Sequence, residues 1–255
     1  MSLSFSDRVE VLLGPRRVQL VRRPRGLRQR PGHAVELPCP EGPDQSWTGA
    51  VETLAQGLAT LAWRNADVAV TLSNHFVRYA LVPHVAGIKR AERLAVAQHQ
   101  MHSVYGESAS AWRIAMDQPA GDAAALAGGV DAELAAQLEA VLRAASLRPV
   151  AIEPYLASAY NACRKEMNGD PAWLAVAEPG RVCVASVRDG RWLAVRSQRL
   201  TGPLPDALPA VLEQARLASA DALPPGRVFL VSRDEPPFSA PAESGWSIEP
   251  ARLAH

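Results

Sequence analysis

Arg8-Val-Glu-Val-Leu-Leu-Gly-Pro-Arg-Arg-Val-Gln-Leu-Val21 is a β-rich run, a Gly-Pro turn and a second β-rich run. The same device recurs at Trp173-Leu-Ala-Val-Ala-Glu-Pro-Gly-Arg-Val-Cys-Val-Ala-Ser-Val187, which continues into Arg188-Asp-Gly-Arg-Trp-Leu-Ala-Val195. Val and Leu flanking Gly and Pro predict hairpins. Asp189-Gly190 adds the strongest two-residue hairpin signal. Two halves that each open on such a hairpin predict a two-lobed chain.

Working outward, a further strand is expected near 33–37. Ser46 is a candidate N-cap for a helix carrying Trp47, Val51, Leu54, Leu58 and Leu61 on one face. Strands are expected at 67–72, 76–82 and 112–116. A helix over 87–105 is expected to face inward through Ile88, Ala91, Leu94, Ala95, Met101, Val104 and Tyr105. Gly128-Gly129 reads as a break before a helix capped by Asp131, with Leu134, Leu138, Val141 and Leu142 inward. A short strand at 148–152 leads to a helix opened by Pro154 as a first-turn proline. The second half reads as three strands over 172–200, a helix near 206–220, a strand at 227–231 and a last strand at 246–249. Three strands, helix, strand, helix in each half is an α/β pattern.

Composition excludes several classes. Hydrophobic residues make up 48% and charged residues 21% of 255 residues, enough apolar material for a packed core and too little polarity for wholesale disorder. The three cysteines, Cys39, Cys163 and Cys183, form no CxxC pair, so neither a disulfide framework nor a zinc knuckle is expected. The N-terminus has no apolar signal core, and no window approaches the roughly 18–20 apolar residues that span a bilayer. The expectation is a soluble cytoplasmic protein, reaching the inner membrane only peripherally, through a partner. The net charge is +1, but residues 1–30 carry eight Arg against Asp7 and Glu10, a local balance of +6.

Three stretches carry a resemblance to a known family. They are Val68-Ala-Val-Thr-Leu-Ser-Asn-His-Phe-Val-Arg-Tyr-Ala-Leu-Val-Pro83, Leu147-Arg-Pro-Val-Ala-Ile-Glu-Pro-Tyr-Leu-Ala-Ser-Ala-Tyr-Asn161, and Val187-Arg-Asp-Gly-Arg191 followed by Arg196-Ser-Gln-Arg199. The chain resembles the PilM-like and GspL-like family (MSHA biogenesis-like) of type IV pilus and type II secretion systems. That resemblance implies an actin-like, ribonuclease-H-like fold of two lobes. Each lobe has a mixed five-stranded sheet with flanking helices, and a small subdomain is inserted. The lobes are expected at 1–152, with the inserted strand-helix-strand subdomain at about 76–116, and at 153–255, the second being shortened.

ATP-binding members of the family carry an Asp-x-Gly turn with a Lys five residues after the glycine. With Gly14 on that glycine, Leu12 stands where the Asp would be and Gln19 where the Lys would be. The matching second-lobe turn falls near Val176 to Glu178, and no Asp occurs from 172 to 187. The late Gly-Gly under the adenosine has no match at Ser232-Arg-Asp234. Phosphates need Mg²⁺ held through carboxylates and water, with amide donors and a cation to offset charge. The resemblance with these losses implies no enzyme, no catalytic residue, no cofactor and no metal. It implies a cytoplasmic adaptor that binds an inner-membrane pilus or secretion protein through its cytoplasmic tail, and allows an assembly ATPase as a further partner. In the family that tail lies in a cleft beside the extra subdomain, which by position makes Arg78 and Tyr79 the candidate partner-binding residues.

Two alternatives stay open at this point. One is an ATP-binding actin-like ATPase in which Glu10 and Glu178 replace the lost carboxylates. The other is nucleic-acid or anionic-membrane binding by a ribbon of Arg16, Arg17, Arg22, Arg23, Arg25, Arg28 and Arg30. No aromatic residue lies between Phe5 and Trp47 to stack bases, which disfavours nucleic acid. His99 and His102 lie at i, i+3 on one helix, with no Cys, Asp or Glu between Arg93 and Tyr105 to complete a metal site.

Overall fold

The computed structural model describes residues 7–24, 32–40, 46–119, 121–167, 170–218, 223–234, 238–239 and 242–251. Two compact units divide the chain: residues 1–77 with 130–154, and residues 78–129 with 155–255. The inserted segment thus clusters with the second half of the chain, whereas the sequence places it with the first.

In the first unit, β1 (Arg8–Leu13), β2 (Arg17–Arg23), β3 (His33–Pro38), β4 (Asp67–Leu72) and β8 (Arg148–Pro154) form one sheet in the order β3-β2-β1-β4-β8. The first three strands are antiparallel; β4 and β8 join in parallel. Parallel joins need crossovers, and α1 (Trp47–Leu61) and α3 (Ala132–Ala144) supply them. Strict alternation in β1 buries Val9, Val11 and Leu13 under Ala50, Val51, Leu54 and Leu58 of α1 and Leu134, Leu138 and Leu142 of α3. Glu10 and Leu12 point to the other face and stay half-exposed. Both helices are capped as their sequences predict: Ser46 Oγ accepts from Thr48 N–H at 3.2 Å, and Asp131 Oδ1 from Glu133 N–H at 2.8 Å.

The second unit repeats the topology. β9 (Ala172–Glu178), β10 (Arg181–Arg188), β11 (Arg191–Arg199), β12 (Arg227–Ser232) and β13 (Ser247–Pro250) are ordered β11-β10-β9-β12-β13, antiparallel and then parallel in the same places. Here β9 and β10 are buried on both faces. One face packs Trp173, Ala175, Val182 and Val184 on Leu204, Leu208, Val211, Leu212 and Ala215 of α5 (Leu204–Leu217). α4 (Tyr155–Cys163) also packs on β9 and buries Leu156 and Ala159. This two-sided burial explains why the sequence here is a continuous apolar run, where β1 alternates. The last residues of the helix expected near 206–220 lie outside the described residues.

Between β4 and α3 runs the insert: β5 (Val77–Val82), α2 (Arg90–Tyr105), a 3₁₀ turn (Gly106–Ala111), β6 (Trp112–Met116) and β7 (Ala125–Asp131), with a three-stranded sheet ordered β5-β7-β6. Two expectations change here. The Gly128-Gly129 stretch is the middle of β7, not a break. A Cβ on Gly129 would stand 2.8 Å from Trp112 Cε3, so the glycine is what lets the indole lie on the strand. The inward face of α2 is Ala97 and Met101, with Val96 and Tyr105 beside them, while Leu94 and Val104 are 37% and 55% exposed. A three-stranded sheet covers a narrower stripe than the seven residues the periodicity offered.

Candidate functional site

The first-unit hairpin brings Leu12 and Gln19 directly opposite each other across β1 and β2. Neither is equipped for phosphate. Leu12 is half-exposed and carries no charge, and Gln19 Nε2 donates to Glu36 Oε2 at 2.7 Å on β3. The connecting turn holds Pro15, which has no amide hydrogen, and Gly14 N–H already donates to the Arg17 carbonyl at 3.1 Å. A hairpin that cradles phosphate does so with free backbone N–H groups.

The second-unit hairpin turns at Pro179-Gly180, with Gly180 at φ +77°, the positive value that the third residue of a type II turn requires. Proline again removes an amide donor. Val176 is 0% exposed, paired in register with Cys183 on one side and Val231 on the other. Its position is core. Glu178 ends β9 half-buried; burial is the largest cause raising the phenols of Tyr79 and Tyr155 and the thiol of Cys183, and the Glu178 charge adds to it.

Glu10, the other carboxylate considered as a replacement, accepts from Arg23 Nε at 3.0 Å and lies 3.6 Å from Arg8 Nε. It is tied into the ladder of its own hairpin. The buried Asp67 is also structural: Arg148 Nε donates to it at 2.8 Å. Asp67 pairs with Arg8, at the opposite end of β1 from the Gly14 turn. Of the arginine ribbon, Arg22 is bound to Asp7 at 2.7 Å, Arg23 to Glu10 and Arg17 to Glu36 at 3.4 Å. Each such surface pair is worth little in stability, but it offsets charge that a polyanion would otherwise meet. Arg25, Arg28 and Arg30 lie outside the described residues. His99 and His102 are exposed on α2, and no group of three or more His, Cys, Asp or Glu that could hold a metal occurs among the described residues.

Arg78 and Tyr79 sit on β5, at the start of the insert. Arg78 is half-exposed. Tyr79 is only 5% exposed, and burial is the largest cause pushing its phenol well above the ordinary value. The tyrosine ring is therefore interior packing. The Tyr79 carbonyl accepts from Tyr105 Oη at 2.9 Å.

Within the second unit the insert is fastened to the 155–255 segment by residues that sequence reasoning passed over. Trp192 Nε1 donates to Asp117 Oδ2 at 2.8 Å, Asp117 Oδ1 accepts from Leu126 N–H at 2.8 Å, and the Trp192 ring lies 4.5 Å from that of Tyr160. Arg191 adds an ion pair to Asp122 at 2.8 Å. The available signal was the Asp189-Gly190 turn, which sets Arg191 and Trp192 at the start of β11; their partners Asp122 and Asp117 are distant in sequence. Partial burial raises the Asp117 carboxyl above the ordinary range, against the two donated hydrogen bonds. A raised folded value means that ionisation disfavours the folded form. Its contribution is therefore fullest below the ordinary carboxylate value and declines as pH rises through the raised one. Asp117→Asn is expected to remove that decline from the stability–pH profile. Asp117 keeps one side in solvent, so Asp117→Ala should cost only about 1–2 kcal/mol by urea unfolding at neutral pH. A flat difference profile between the wild type and Asp117→Asn would show that the carboxyl does not titrate with folding.

No family model matches the chain, and no curated protein matches its sequence. Solved structures do match. The cytoplasmic domain of EpsL, an inner membrane component of the type II secretion system of Vibrio cholerae, is similar at a TM-score of 0.62 and 12% identity, over 97% of this chain and 91% of that one. A PilM-PilN type IV pilus biogenesis complex matches at 0.64 and 17%, over 88% and 80%. A Bacteroides thetaiotaomicron protein with an actin-like ATPase fold and unknown function matches at 0.62 and 7%, over 91% and 86%. At these identities the likeness establishes the fold, which is actin-like.

Proposed function

We propose that this chain is a non-catalytic actin-like adaptor on the cytoplasmic side of a type IV pilus or type II secretion-like assembly, where it holds the cytoplasmic tail of an inner-membrane partner. The observation that carries the reading is the state of the two hairpins. In each, the position of the family's carboxylate is aliphatic, and the turn has lost an amide donor to proline. The lysine position of the first is a glutamine spent on Glu36. Neither unit holds its half of a nucleotide grip. The matched EpsL domain belongs to an inner membrane component, and the matched PilM is in complex with PilN, which supports a partner at the membrane. Among the described residues, no helix is long and apolar enough to cross a membrane, so the contact with an inner-membrane protein is assigned to a surface. Arg78, half-exposed beside the insert, is the side chain proposed to meet the tail, with Tyr79 contributing backbone.

Calorimetric titration with ATP and Mg²⁺, paired with thermal unfolding, tests the reading. A site with a dissociation constant of about 10 μM would stabilise the fold by about 2.7 kcal/mol at about 1 mM ATP. The expected result is no heat and no shift. Saturable heat with a matching rise in melting temperature would overturn the reading and move Glu178 to first place as a metal-holding carboxylate.

A further inference from the structure

β5 and β11 are both edge strands of their sheets, and they flank the same groove. Among the described residues, β11 is the edge strand of its sheet, with β10 on one side and no further strand beside Val195–Arg199 on the other. The groove encloses about 680 Å³ between Ala80 and Leu81 of β5, Val104 of α2, and Val195 and Ser197 of β11, with Ala218 at the end of α5. Val104 is 55% exposed on its wall, apolar surface that the insert's own core leaves uncovered.

Next to Ser197 on the lining, and outside the groove itself, stands a pair of arginines. Arg181 and Arg199 stand directly opposite each other across β10 and β11, a like-charge pairing that destabilises a sheet when nothing offsets it. Arg181 Nη1 donates to Ser197 Oγ at 3.2 Å, while its Nε is enclosed without an acceptor. Burial, and after it the charges of Arg78 and Arg199, disfavour the Arg181 charge, and the Glu178 carboxylate acts against them. Arg196 adds a further exposed guanidinium on the lining of the groove.

We propose that this groove takes an extended acidic segment of a partner protein, added as a strand to β11, with a carboxylate seated on the Arg181–Arg199 pair and an apolar side chain against Val195 and Val104. Strand addition supplies affinity through the backbone and specificity through alternate side chains. Val195, Ser197 and Arg199 share one face of β11, so the apolar residue and the carboxylate of the added strand fall four positions apart. The inference rests on reading the chain as a binding module and names the chemistry of what is bound.

The probes are fluorescein-labelled peptides of alternating Val and Thr with a pair of Glu at one or the other end, the same peptides with Lys for Glu, and one with a central proline that blocks strand pairing. Anisotropy titrations should show one Glu peptide binding at least about tenfold tighter than its Lys and proline counterparts. Arg199→Glu, an exposed substitution that faces Arg181, should reverse the Glu-over-Lys preference. Ala218→Trp, also exposed, should obstruct the groove for both. Equal binding of Glu and Lys peptides, no saturation by about 1 mM, or a preference unmoved by Arg199→Glu would overturn the proposal. Its failure is separable from that of the adaptor reading. A protein silent to ATP that binds no Glu peptide loses only the groove; one that binds ATP while selecting the Glu peptide loses only the adaptor.

Discussion

Val176→Asp, which puts a carboxylate where the sequence resemblance aligns one, is expected to unfold the unit rather than create a nucleotide site. The side chain is 0% exposed, with Cys183 (0%) and Val231 (2%) in register beside it. A carboxyl there has no cation partner and no water, so it must be held neutral at a pKa raised by about 3–4 units, a cost of about 4–5 kcal/mol at neutral pH. That is a large share of the about 5–15 kcal/mol that typically holds a domain folded. Leu12→Asp is the matched control. Leu12 is half-exposed on the opposite face from Val11 and Leu13, so its replacement should stay within about 1 kcal/mol of wild type. Hydrogen exchange read by mass spectrometry separates the two units and should show lost protection over 172–187 for Val176→Asp alone. Wild-type protection in that variant would mean that Val176 borders solvent and that the second half-site is open after all. Under the packing seen here the two aliphatic positions differ in kind: Leu12 lies half-exposed on a hairpin, and Val176 lies in a core.

Trp173→Ala is expected to be nearly as damaging, for a different reason. Trp173 is 1% exposed and meets Trp246 edge-on, ring centroids 5.4 Å apart at 88°. It stands in the middle of the cluster that joins β9, β10 and β12 to α5. Truncation leaves a cavity bounded by both the sheet and the helix and should cost about 3–5 kcal/mol. For a unit of this size that lowers the melting temperature by about 10 °C or more. Trp173→Phe should behave quite differently. The indole Nε1 is buried without an acceptor, so losing it relieves an unsatisfied donor while the phenyl ring keeps most of the contact area. A Phe variant within about 1 kcal/mol of wild type, beside an Ala variant that is strongly destabilised, is the expected pair. Equal losses in the two would mean that the N–H has a partner after all.

The damage predicted for Val176 and Trp173 shows what was hard to read in advance. Both lie in the run 172–187, whose uninterrupted apolar character announces a buried strand without saying what covers it. The expectation that Leu12 and Gln19 are non-catalytic needed only the residue types. The loss of the turn amides needed the turns themselves, since Pro15 and Pro179 matter only once it is known that they occupy the tips. The arginine ribbon looked continuous along the chain, and it is interrupted because Asp7, Glu10 and Glu36 are brought across the strands to meet it. That β5 buries the Tyr79 ring was likewise not readable from the alternation of its strand.

Local patterning by itself determined the hairpins, the capped helices and the repeated strand order's opening moves, because alternation, caps and turn residues act over a few positions. It also carried the expectation that the nucleotide chemistry is missing, because Leu and Val side chains hold no Mg²⁺ in any fold. Only the tertiary structure decided that the insert belongs with the 155–255 segment. It also decided that β7 runs through Gly128-Gly129, and that the edge strands β5 and β11 flank one groove. Those outcomes depend on contacts such as Asp117 with Trp192, 75 residues apart, which no local pattern encodes.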